Sequence, residues 1–150
     1  MPLARALALL AAAVLAPLAL AACGDGDGST DKDRAATAAI DLTITLEGTA
    51  GTRAFTLRCD PVGGTWPDAA TACRGLATPD GAKALEPIVI ETRDYGPITE
   101  VPMTVTGTVD GRALTLEFPK MGSSTRRARL RMLTDVLGPD AYATAVKAVS

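Results

Sequence analysis

The chain contains no histidine. That absence excludes imidazole-based acid–base catalysis, histidine-containing triads and zinc sites of the usual histidine type. A nucleotide-binding phosphate loop is missing too, because Gly63-Gly64 leads toward a helix but brings neither the lysine nor the hydroxyl such a loop needs. No close pair of carboxylates falls within a pocket that the pattern would predict. Neither sign of charge dominates: 15 basic and 17 acidic side chains leave a formal net charge of −2, which gives no reason to expect nucleic acid as a partner. An enzyme is therefore not expected, nor a metal or cofactor. Cysteine is scarce at three residues, and there is one tryptophan, Trp66.

The only long apolar run lies at the start. Residues 1–22 combine a short n-region with Arg5, an apolar stretch over residues 6–20 and small residues before Cys23, the signature of a bacterial signal peptide. The run is too short and too near the start for a dedicated membrane-spanning helix. Its end, Leu20-Ala21-Ala22-Cys23, fits a lipobox, in which the cysteine thiol takes a diacylglyceryl chain and becomes the mature N-terminus. The acidic, Gly-rich sequence that follows makes residues 23–39 a surface tether. The alternative is an ordinary signal peptide that happens to end at a cysteine. On the lipobox reading the protein sits lipid-anchored on the outer face of the bacterial cell membrane.

The most informative stretch runs over residues 56–73, TLRCDPVGGTWPDAATAC. Phe55, Leu57 and Cys59 alternate with Ala54, Thr56 and Arg58, so Cys59 shares the apolar face of a strand. Pro67 and Asp68 suit a helix's first turn, since proline costs no needed N–H there and a carboxylate meets the positive end of the dipole. Ala69 or Ala70, Cys73 and Leu76 then fall on one helical face. Two inward-facing cysteines on adjacent elements predict a strand-to-helix disulfide between Cys59 and Cys73, the pair left once Cys23 is lipidated. The alternative of two free buried thiols does not suit an oxidising compartment.

The order Cys59-Asp60-Pro61-Val62-Gly63-Gly64-Thr65-Trp66-Pro67-Asp68, then Ala72-Cys73 and Leu76, resembles the Streptomyces subtilisin inhibitor family, small secreted proteins that block serine proteases. That family usually carries histidine where Trp66 stands. The resemblance spans residues 41–124 and is strongest at 56–76 and 95–111. It implies an α+β fold, an antiparallel β-sheet of about five strands with helices packed on one face.

The rest of the pattern agrees. Ile40, Leu42, Ile44 and Leu46 alternate with polar residues, and Gly48-Thr49-Ala50-Gly51 turns the chain into a strand over residues 53–59. A helix over about residues 67–77 is followed by a Pro79-Asp80-Gly81 turn and an extended segment over residues 87–92. Asp110-Gly111 is a two-residue hairpin turn that sets Val109 opposite Arg112, Val105 opposite Leu116 and Met103 opposite Phe118. Beyond it, Ser123 or Ser124 caps a helix carrying Leu130, Leu133 and Leu137 inward and ending at Gly138. Pro139-Asp140 restarts a shorter helix with Tyr142, Val146 and Val149 on one side. Residues 40–150 thus read as one inhibitor-like domain, with additional C-terminal helices from about residue 124 that the family lacks.

The resemblance also places a site. The family's protruding loop corresponds to residues 91–99, with Thr92, Arg93, Asp94 and Tyr95 as reactive-loop residues and the scissile bond between Arg93 and Asp94. Arg93 would fill the protease's primary specificity pocket, and arginine suits a trypsin-like pocket with an acid at its base. The implied partner is an extracytoplasmic serine protease. Two departures stand out: the loop-bracing cysteines of the family fall on Glu91 and on Ser123 or Ser124, and Asp94 puts a carboxylate beside the scissile bond. The other reading is a non-inhibitory envelope lipoprotein that uses the same fold as a scaffold for another protein. A homodimer through the Thr-rich sheet face is implied by family habit. Arg126, Arg127, Arg129 and Arg131 form a basic cluster that reads either as a solvated helix face or as a contact with anionic lipid.

Overall fold

A computed structural model of the chain describes residues 38–89 and 94–150. These lie in one unit, Arg34–Ser150. The signal segment, Cys23 and most of the tether fall outside the described residues, as do Glu91, Thr92 and Arg93.

Alternation builds the sheet. Strand β1 (Ile40–Gly48) buries every second residue, so that Ile40, Leu42, Ile44 and Leu46 face inward. It turns through Thr49 and Ala50 into β2 (Gly51–Cys59), which starts two residues earlier than the pattern predicts because the turn itself is tight. Phe55, Leu57 and Cys59 are the buried positions of β2. A short β3 (Val62–Gly64) folds back on its end. Helix α1 (Ala69–Leu76) is shorter than predicted at its start, since Asp68 is its N-cap and accepts from the Thr71 amide at 3.0 Å, leaving Pro67 outside.

The expected turn at residues 79–81 is instead the start of a helix, α2 (Pro79–Ala84). Thr78 caps it and Pro79 occupies the first turn, where a proline is pre-set for helical φ. Gly81 serves close packing rather than turning, because a Cβ there would meet the Gly75 carbonyl oxygen and Leu76 of α1. Residues 87–89 form no regular strand.

After the undescribed residues come β4 (Tyr95–Pro97), β5 (Met103–Val109), β6 (Arg112–Phe118) and β7 (Met121–Ser123). The β5–β6 hairpin has the predicted register throughout, from Val109↔Arg112 to Met103↔Phe118. Asp110 and Gly111 both adopt positive φ, 50° and 74°, as the two-residue turn demands. The main sheet has five strands in the order β3-β2-β1-β5-β6, all antiparallel, and β4 and β7 form a separate two-stranded sheet.

Helix α3 (Ser124–Val136) is capped by Ser123, whose hydroxyl accepts from the Arg126 amide, and Leu130, Leu133 and Leu137 are buried as predicted. In α4 (Pro139–Lys147) the most buried face is Ala141 and Ala145; Tyr142 and Val146 are only half-buried, and Val149 just beyond the helix is 1 % exposed. Small residues let this short helix lie close to the sheet. The chain end then locks onto the β1–β2 turn: Ala50 N–H donates to the Val149 carbonyl at 2.9 Å, and Gly48 leaves the room that a side chain would take from Val149.

All the helices contribute to one apolar core with the inner face of the sheet. The outer face is polar. Its register places Thr56, Thr43, Thr106 and Thr115 in a row across β2, β1, β5 and β6. An antiparallel sheet with one packed and one open face accounts for the alternation read from the sequence.

Candidate functional site

The corner between β2 and α1 is held by a disulfide and by hydrogen bonds. Cys59 and Cys73 are bonded, with S–S 2.08 Å and Cα–Cα 5.4 Å across a separation of 14 residues. Both are buried. Closing a loop of that size stabilises the fold by about 3 kcal/mol in the chain-entropy account. Thr56 and Thr65 bind one another twice more, each backbone amide donating to the other's hydroxyl at 2.9 and 3.1 Å.

Trp66 lies 3 % exposed at this corner, edge-on to Phe55 with ring centroids 5.8 Å apart. The indole N–H donates to the Leu137 carbonyl at 3.1 Å, tying the corner to the C-terminal end of α3. Helix α3 is therefore built into the domain.

The described residues reach the candidate segment from both sides. On the near side, residues 85–89 leave α2, and Val89 is 86 % exposed. On the far side, Asp94 is exposed and Tyr95 is 75 % exposed. Between them lie the undescribed residues 90–93, which include Thr92 and Arg93. Val89 and Tyr95 thus stand exposed at the two described ends that flank residues 90–93.

The far side is anchored. Tyr95, Gly96 and Pro97 pair with Ser123, Gly122 and Met121, and the Ile98 amide donates to the Lys120 carbonyl at 2.8 Å. Pairing Tyr95 with Ser123 sets the end of the loop beside the two serines that stand where the family's second loop cysteine is expected. Ser123 is 4 % exposed and caps α3, while the Ser124 hydroxyl donates to the Asp94 carboxylate at 2.9 Å. These contacts were not legible in the sequence, because three-residue strands carry no periodicity.

Three arginines of the predicted cluster are not simply solvated: Arg126, Arg127 and Arg129 are half-buried, and only Arg131 is exposed. One guanidinium nitrogen of Arg126 donates to the Glu117 carbonyl at 2.9 Å, joining α3 to β6. Arg127 lies under β4, where a Cβ on Gly96 would come 3.1 Å from its Nη2. Among the described residues no group of three or more histidine, cysteine, aspartate or glutamate side chains could hold a metal. None of the described helices is long and apolar enough to cross a membrane.

The relationship to known proteins follows the same landmarks. The protein Subtilisin inhibitor-like protein 1 of Streptomyces cacaoi is 41% identical over 68 residues, which cover 41% of this chain and 59% of that protein. The chain thus spans less than two thirds of that relative's length. The sequence profile of the family described as Subtilisin inhibitor-like matches residues 36–119, which hold the whole five-stranded sheet, the disulfide, α1, α2 and β4. A disulfide-pinned strand-to-helix corner, a five-stranded antiparallel sheet and a match over more than half its length place this chain in the subtilisin inhibitor-like family.

Proposed function

We propose that the protein inhibits a secreted or envelope serine protease by offering residues 92–95 as a substrate-like loop, with Arg93 in the primary specificity pocket and Asp94 after the scissile bond. The observation that carries this reading is the setting of that loop within an inhibitor-family fold. Exposed Val89 and Tyr95 flank it, and its far side is fastened to β7 and α3. A loop whose far side is already fixed loses less entropy on docking, and slow release of the leaving strand keeps cleavage slow. The protease brings the catalytic groups; this chain brings shape and a charge for the pocket.

Mapping of cleavage by mass spectrometry tests the assignment. Trypsin should cut the folded chain slowly and at one place, after Arg93, and Arg93→Ala should abolish both that cut and inhibition. Cleavage spread over several basic residues, or inhibition that survives Arg93→Ala, would refute it.

The lipobox supports a second component of the proposal, anchoring of the mature protein through Cys23 to the outer face of the bacterial membrane. Incorporation of radiolabelled palmitate that persists in Cys23→Ala would contradict it. The open threonine face supports self-association into a homodimer, which sedimentation equilibrium showing only monomer would exclude. One observation favours the scaffold reading instead: α3 and α4 lie beyond the family match yet are built into the core, so they offer a surface that the family match does not define.

A further inference from the structure

The first turns of α3 reach the far side of the loop residue by residue. Ser124 Oγ donates to the Asp94 carboxylate at 2.9 Å, across 30 positions of sequence. Tyr95 to Pro97 lie in register with β7, which runs directly into α3. Arg127, one turn beyond Ser124, sits against Gly96. Helix α3 is itself fixed, by buried Leu130 and Leu133, by the Ser123 cap and by the Trp66 bond to Leu137. The hydroxyl of Ser124 is therefore presented from a rigid element, and the carboxylate it holds lies at the positive end of a helix of 13 residues.

We propose that Ser124 is a positioning residue for the reactive bond: it holds Asp94, and with it the amine side of a cleaved 93–94 bond, in place. This rests on the assignment of that bond made above. In the first step the protease serine attacks the Arg93 carbonyl, the C–N bond breaks, and the nitrogen of Asp94 leaves as an amine with a proton delivered by the protease's histidine. If the leaving strand moved off, water would enter and hydrolyse the acyl ester. Held by its side chain and by the adjoining ladder, the amine instead remains oriented for return. It attacks the ester carbonyl, the C–N bond re-forms, and the serine oxygen leaves with the proton returned through the histidine. Hydrogen bonding to Ser124 also engages the negative charge of Asp94 with the scaffold, easing the conflict of a carboxylate next to a developing oxyanion.

The test compares the full chain with Ser124→Ala, Ser124→Thr, Asp94→Ala and the double variant. The readouts are the rate of cleavage after Arg93 by trypsin, the equilibrium ratio of intact to cleaved chain, and the thermal midpoint. Loss of a charge-assisted hydrogen bond predicts cleavage of Ser124→Ala faster by about tenfold or more, with a shift toward the cleaved form. Ser124→Thr should retain wild-type behaviour, and Ser124→Ala should add nothing on top of Asp94→Ala. Wild-type rate and ratio in Ser124→Ala, or an equal effect of Ser124→Ala with and without Asp94, would overturn the proposal. If the wild-type chain is digested rapidly without inhibiting, the assignment of the bond fails, and amide exchange decides on Ser124. Faster exchange at Tyr95 and Gly96 in Ser124→Ala would uphold its hold on the loop; unchanged exchange would overturn it.

Discussion

Trp66 illustrates how a single residue can change the meaning of a distant element. It lies between the disulfide-bonded strand and helix. Its indole N–H reaches the Leu137 carbonyl, 71 positions away. Trp66→Phe keeps the apolar ring but strips a buried carbonyl of its donor, which costs about 1–3 kcal/mol. Thermal or denaturant unfolding should register that loss with the fold intact; an unchanged midpoint would mean the bond contributes nothing. Asp68 makes a separate prediction. Its bonds from Thr71, backbone first, and the charge of Arg74 hold its carboxyl below the ordinary value of 3.8. A carboxyl whose pKa is depressed by folding stabilises the native state above that ordinary value, and the contribution fades as pH falls through the folded-state pKa. The difference in thermal midpoint between wild type and Asp68→Ala should therefore be full at neutral pH and shrink below pH 3.8. A difference that grows on acidification would contradict the assignment.

Elements with long-range information in a short stretch of sequence were the readable ones. The β5–β6 hairpin was legible because Asp110-Gly111 fixes its turn, and one turn fixes every pair behind it. Helix α3 was legible from a serine cap, leucines at helical spacing and Gly138. Where signals were ambiguous, tertiary contact decided: Pro79-Asp80-Gly81 carries turn chemistry, but the Thr78 cap and the approach of Gly81 to α1 make it a helix. The β4–β7 pair was invisible for a different reason, since each strand has three residues and its partner comes from more than twenty positions away. The disulfide joins β2 and α1, and Cys73→Ser should lower stability by about 3 kcal/mol through the freed unfolded chain. Equilibrium unfolding in urea measures this directly; no shift in midpoint would show that the remaining corner contacts suffice alone.

At the scale of the whole molecule, the inhibitor-like sheet and the C-terminal helices form one core, and the loop side is supported by both. The family motif at residues 59–76 revealed the sheet and its disulfide corner. What it did not reveal was support for residues 94–97 from α3, because that support lies in a hydroxyl, a three-residue ladder and an arginine beyond the matched segment. On the proposed function, residues 92–95, fastened through Asp94 and Tyr95, make the protein a working inhibitor. The most direct measurement is titration of a fixed amount of active trypsin, and in parallel of a subtilisin, with the purified protein while residual activity is followed. Stoichiometric loss of trypsin activity is expected, at an inhibitor concentration below about a micromolar, the range in which preorganised protease–inhibitor interfaces operate. Undiminished activity of both proteases, with rapid cutting of the chain after Arg93, would contradict it.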